Sequence, residues 1–269
     1  MDQTRFIKSY RYLRLGTVAL VLLLLIAVVV EWVASDGSHL PSLSAYYYTA
    51  VNAIFVGSLV SIGFAMIVIK GTPWEDAFLN LAGLLAPIVA FVPTVRPTEC
   101  LRCAIEAPDV RDRALNNLTA YLVVGGLALL ATYLLARHEG ESVVAARQPI
   151  GFGFLVTLAV WAGGWAWLKL APDSLLARAH DTSAMVMFGF FGAVVVVNAR
   201  RPRTEHLWLR TAYWAIVAAM VATAVILIPQ ILGAAFSPLV FWLEVIEIAL
   251  FAAFWAGNTW ENWYDGLAH

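Results

Sequence analysis

The chain has 269 residues, of which 61% are apolar and 13% charged, and its net charge is −1. An average soluble domain is about 25% charged, so a water-soluble core does not account for this composition. The near-neutral balance supplies no basic surface and argues against nucleic acid as a partner. Apolar runs recur along the whole length with no long polar segment between them, which predicts a single integral membrane domain over 1–269. Eleven Trp, nine Tyr and fourteen Phe suit a protein with two membrane interfaces to anchor.

A spanning helix needs roughly 20 mostly apolar residues. Eight stretches qualify: 15–34, 46–69, 77–95, 118–136, 149–170, 182–199, 208–230 and 238–256. The expected fold is all-α, a polytopic transmembrane helix bundle of eight spans, with seven as the alternative. Arg5, Lys8, Arg11 and Arg14 precede the first stretch and resemble a signal-peptide n-region. The apolar run behind them is too long for such a peptide and no A-x-A site follows, so it reads as an uncleaved signal anchor. With the N-terminus inside, eleven Lys and Arg fall in cytoplasmic segments and six in external ones. That bias places both termini in the cytoplasm, and the expected location is a bacterial inner (plasma) membrane. The external loop 96–117, itself fairly basic, weighs the other way.

The second stretch opens with Tyr46, Tyr47 and Tyr48 and carries Asn52, Ser58 and Ser61. Lipid has no use for these groups, so this helix is expected to face its neighbours; the tyrosines alone also fit an aromatic belt. Tyr48, Asn52 and Phe55 share one helical face, and Asn52 is expected to bond across helices. Ala53, Gly57 and Ser61 form a stripe at i, i+4 and i+8, the spacing that lets helices approach closely, and read as a packing surface. Pro73 suits the first turn of the next helix, and Glu75 and Asp76 read as its caps.

The loop 96–117 is polar and its DVRDR run predicts a short extramembrane helix. Cys100 and Cys103 lie in this loop, and outside the cytoplasm a C-x-x-C reads as a small local disulfide. A zinc site would need two more ligands from His39, His180, Glu99 and Glu106. No metal and no cofactor are predicted.

Ionisable groups inside a span are expensive and face the bundle interior. Glu244 and Glu247 stand three apart on the last stretch and so share a face, with Phe251 and Trp255 continuing it. At 1.5 Å per residue from Pro238, they sit about 9 and about 13 Å deep. A structural pair bonded to a neighbour's Asn, Ser or Tyr competes with a substrate, proton or headgroup role. His180 and Asp181 open the sixth stretch, with Thr182 and Ser183 as caps; a solvated interfacial His is the plainer alternative. Trp161, Trp165 and Trp167 read as interface anchors, and WENWYDGLAH as an amphipathic segment along the inner surface.

Under this topology Tyr48, Asn52, His180, Asp181 and Glu244 all fall in the outer half, which is what an outward-opening pocket requires. Unrelated residues, each snorkelling at its own helix end, would look the same. The chain has no P-loop, G-x-S-x-G or H-E-x-x-H. Its five His form no spaced pair within a span, against a haem subunit, and no lysine stands mid-span for a retinal Schiff base. No inverted repeat and no Arg ladder are visible.

The segments SLSAYYYTAVNAIFVGSLVSIGFAMIVIKG, EDAFLNLAGLLAPIVAFVPT, AHDTSAMVMFGFF and FWLEVIEIALFAAFW resemble a group of bacterial, mainly actinobacterial, multi-spanning proteins. They cover about a third of the chain, and the group brings no assigned activity. A polar Ser/Tyr-rich helix entrance followed by later His and Glu is also similar to the ceramidase and progestin-receptor-like membrane hydrolases. That resemblance implies a Ser, an Asp and three His around zinc. Ser58, Asp181 and His180 are the matching nominees, but the paired His of a late helix is missing. The expected function is binding or transport of a lipid or small amphiphile in an outward-facing pocket, with Glu244 and Glu247 at its core. Tyr48, Asn52, His180 and Asp181 would line it. The alternatives are a lipid amide or ester hydrolase and an accessory subunit of a membrane complex. Expected partners are membrane lipids and either a protein partner or a second copy of the chain.

Overall fold

A computed structural model describes residues 3–98, 100–140, 148–201, 207–232 and 239–263, and among them every long element is a helix. In chain order these are α1 (Gln3–Ala34), α2 (Asn52–Val68), α3 (Pro73–Phe91), α4 (Ala107–His138), α5 (Pro149–Leu170), α6 (Pro172–Arg200), α7 (Leu207–Leu232) and α8 (Leu239–Glu261). A short 3₁₀ turn, Ser44–Tyr48, precedes α2. Among the described residues all but α2 are long and apolar enough to cross a membrane, which makes seven helices.

Local chemistry sets the helix ends. Thr72 and Glu75 form a capping box at the start of α3, with Pro73 in the first turn, where its missing N–H costs nothing. The helix stops at Phe91 because Pro93 disfavours helical backbone in the residue before it. Only Ala171 separates α5 from α6, and Pro172 starts the new helix where the old one ends.

Helices α1, α2, α3, α6, α7 and α8 each pack against the next, and α8 returns to α1, so the six close a ring. Helices α4 and α5 pack outside it against α3 and α6. Helix α3 is the most enclosed, with 61% of its apolar window buried, against 11% for α4 and 6% for α5. The outward faces are apolar too: Leu22, Ile26 and Val30 on α1, Val124 and Leu127 on α4 and Val225 on α7 are all exposed. Monomers dissolved in water rarely show apolar surface on this scale. Helices, which satisfy their own backbone groups, can present such faces to lipid. The molecule is a membrane-type helical bundle.

Several sequence expectations are corrected. The stretch 46–69 is not one helix. The Thr49 hydroxyl donates to the Tyr46 carbonyl and its oxygen accepts from the Val51 amide, so side-chain bonds replace the helical ladder and α2 starts only at Asn52. The DVRDR run is not a separate helix; it forms the first turns of α4, which begins at 107 rather than 118. Helix α6 begins at Pro172, so His180 and Asp181 lie inside it and Thr182 and Ser183 cap nothing. The stripe Ala53, Gly57, Ser61 faces outward instead of packing. The close approach of α2 is made by Gly63 against Gly83 of α3, where an added Cβ would meet the opposing carbonyl oxygen at 2.7 or 2.5 Å. Trp161 also joins two helices: its indole N–H donates to the Leu122 carbonyl at 2.7 Å, beside Gly126. Glu99, Arg147, Arg203, Pro238 and the C-terminal 264–269 lie outside the described residues.

Candidate functional site

The ring encloses a cavity of about 420 Å³, within the roughly 300–1,000 Å³ typical of small-molecule sites. Most of its wall is apolar: Phe55 and Leu59 of α2, Phe188 and Phe191 of α6, Met220 of α7 and Phe251 of α8. Among the described residues its polar side chains are Ser44, His180, Asp181, Glu244 and Glu247, and no Lys or Arg lines it. Gly189 and Val221 line the cavity and are also exposed, Val221 at 57%, so it reaches the outer surface between α6 and α7. A Cβ added to Gly189 or Gly192 would meet nothing within 4 Å, so α6 leaves open space there.

Each polar group is held differently. Glu244 is tethered: its Oε2 accepts the Leu43 amide at 2.5 Å and the Ser44 amide at 3.4 Å. It therefore satisfies orphan donors at the start of the 3₁₀ turn and fastens that turn to α8. Glu247, one helical turn deeper, is 4% exposed. Its Oε1 accepts from the Thr223 hydroxyl on α7, and its Oε2 has no partner. His180 is also 4% exposed, not a solvated interfacial residue. Its Nδ1 lies 3.0 Å from the Val89 carbonyl and 2.7 Å from that of Val92, which makes Nδ1 the protonated donor and leaves Nε2 without its proton in the neutral ring. These carbonyls are orphan acceptors at the C-terminal end of α3, so the imidazole joins α6 to that end. Asp181 follows on the same helix and is half-buried.

The structure thus brings Glu244, Glu247, His180 and Asp181 to one cavity, contributed by two helices. Tyr48 and Asn52 do not line it. The Tyr48 hydroxyl donates to the Thr94 carbonyl at 2.7 Å, and the Asn52 amide donates back to the Tyr47 carbonyl at 2.7 Å rather than across helices. Both therefore brace the 3₁₀ turn. Ser58, nominated with Asp181 and His180, is buried and absent from the cavity wall.

Three contributors escaped sequence reasoning. Thr223 is the only polar residue between Trp214 and Pro229, a signal that was available. Gly189 and Gly192 carried none, since a glycine pair three apart is common in packed helices.

A second, polar cavity of about 720 Å³ lies beside the loop before α4, lined by Glu31, His39, Tyr46, Cys100 and Arg102 among others. Cys100 and Cys103 form a disulfide, and the Ala104 and Ile105 amides donate to the Tyr48 carbonyl, which docks this loop on the 3₁₀ turn. Arg102 pairs with buried Glu31 at 2.9 Å. Among the described residues no group of three or more His, Cys, Asp and Glu is arranged to hold a metal ion.

Comparison of the chain with family models, curated proteins and solved structures yields no match. The reading of this site rests on its own chemistry.

Proposed function

We propose that the protein binds a lipid or small amphiphile in the six-helix cavity, for transport or for work on the cell envelope. One observation carries the reading: an apolar cavity with its few polar groups gathered on α6 and α8 has a surface between α6 and α7. An amphiphile matches that division, with its tail along the phenylalanines and methionines and its head at the carboxyl groups. A path between two helices lets such a molecule pass from the bilayer without crossing water. Methionine is suited to the tail region because its flexible thioether adapts to differently shaped chains.

The topology belongs to the same proposal. Helix α2 spans about 25 Å at 1.5 Å per residue, short of a hydrocarbon core of about 30 Å. The 3₁₀ turn before it adds about 10 Å at 2 Å per residue. Together they make an eighth crossing, which puts both termini on one side; the Lys and Arg bias makes that side the cytoplasm of a bacterial inner membrane. The likeness to actinobacterial multi-spanning proteins rests on sequence segments alone and is proposed in that sense.

Native mass spectrometry of protein released from neutral detergent tests the binding. Wild type is expected to carry an adduct of lipid or amphiphile mass. Gly192→Leu, whose Cβ would enter open space, is expected to fly bare. If both fly bare, or both carry the adduct, the reading fails.

A further inference from the structure

We propose that the head of the ligand is cationic: a protonated amine or quaternary ammonium on an apolar chain. This rests on the reading that the cavity holds an amphiphile.

Charge is the first ground. Among the described residues, three carboxyl side chains line the cavity, Asp181, Glu244 and Glu247, and no Lys or Arg does. Elsewhere buried acids have their cation in place: Glu31 with Arg102 at 2.9 Å and Glu75 with Arg201 at 2.7 Å. The cavity differs from both of these sites.

The second ground is an unfilled valence. Glu247 lines the cavity and is 4% exposed, and its Oε2 is buried without a hydrogen-bond partner. Burying a polar group without a partner is costly, and a cation placed there removes the cost. Glu244 is not available in the same way, because the Leu43 and Ser44 amides already engage it. The seat therefore falls to the carboxyl groups of this cavity, and Glu247 is the one with a buried oxygen that no donor engages.

Ring faces are the third. Phe55, Phe188, Phe191 and Phe251 line the same cavity. Aromatic faces attract ammonium groups, and carboxylates combined with aromatic walls are how such cations are held in desolvated sites. A head bearing phosphate or sulfate would meet repulsion from three acids and find Ser44 as its side-chain donor, because the His180 N–H is already engaged by the Val89 and Val92 carbonyls.

The test uses full-length protein in zwitterionic-lipid nanodiscs, with empty nanodiscs subtracted. The probes are radiolabelled dodecyltrimethylammonium and dodecanol, which share a tail and differ in charge. Wild type is expected to bind the ammonium at least tenfold more tightly than the alcohol. Glu247→Gln and Asp181→Asn are each expected to weaken the ammonium about tenfold and leave the alcohol unchanged, and Gly192→Leu to abolish both. If the alcohol binds as tightly as the ammonium and neither acid variant alters the ratio, while Gly192→Leu still blocks both, the cationic head is refuted and the amphiphile cavity stands. If neither probe binds above empty nanodiscs, or Gly192→Leu leaves binding intact, the cavity reading itself falls.

Discussion

Glu75 and Glu247 are both buried glutamates on membrane-type helices, at 1% and 4% exposure. Glu75, at the foot of α3, takes part in the Thr72 capping box and pairs with Arg201 across to the end of α6. Glu247, on the cavity wall, has a threonine hydroxyl on one oxygen and nothing on the other. The carboxylate at the foot of α3 thus has an internal cation, and the one on the cavity wall has none among the described residues. Arg14 lies near the same end: it is 6% exposed, donates to the Asn258 carbonyl and to the Tyr10 hydroxyl, and lies over the Tyr10 ring, while its Nε has no partner. A carboxylate whose cation is supplied from within serves the fold. One whose cation is missing is free to serve a ligand.

Substitutions separate the two roles. Glu75→Ala should have the largest effect, about 3 kcal/mol, at the low end for breaking a buried ion pair because Arg201 keeps contact with water. Detergent-titrated unfolding reads that loss, and a loss as small as that of Glu247→Gln would erase the contrast. Gly83→Ala comes next, at about 2 kcal/mol, since a methyl group 2.5 Å from the Gly63 carbonyl oxygen forces α2 and α3 apart. The same assay measures it, and an unchanged midpoint would mean that the two helices do not touch as described. Replacing Cys100 and Cys103 together by Ser should cost about 1 kcal/mol, because the bridge closes a very short loop. Protease nicking of 92–106 should rise while the midpoint of the whole bundle barely moves. Glu247→Gln should change stability least, by about 0.5 kcal/mol or less, because the amide keeps an acceptor for Thr223 and removes a carboxyl oxygen that had no partner. A loss of several kcal/mol there would make Glu247 as structural as Glu75 and remove the difference between the two regions.

Helical periodicity succeeded where the helix is unbroken. Glu244 and Glu247 were placed on one face from their spacing alone, and both reach the cavity from α8. The same argument failed for Tyr48 and Asn52, because their shared face presumed a continuous helix through Thr49. The side chain of that residue breaks the ladder, so the rotation counted from Tyr48 to Phe55 does not exist. The small stripe Ala53, Gly57, Ser61 failed for another reason: a pattern of small residues says that a close approach is allowed, not which side of the helix a neighbour takes. Gly63, two residues past that stripe, won the contact with α3.

By itself the sequence determined the environment of this protein and the number of helices to within one, because a run of about 20 apolar residues has to leave water whatever packs against it. It also determined that the acids of α8 are expensive and so face inward. Which carboxylate would find a cation was decided only by the tertiary structure. Arg201 lies 126 residues from Glu75 and Arg102 lies 71 from Glu31, distances along the chain over which no local pattern carries charge pairing. Closing α1, α2, α3, α6, α7 and α8 into a ring brought His180 and Asp181 to the same cavity as Glu244 and Glu247 and, among the described residues, brought no Lys or Arg with them. That arrangement depends on which helix faces meet, and only long-range packing sets it.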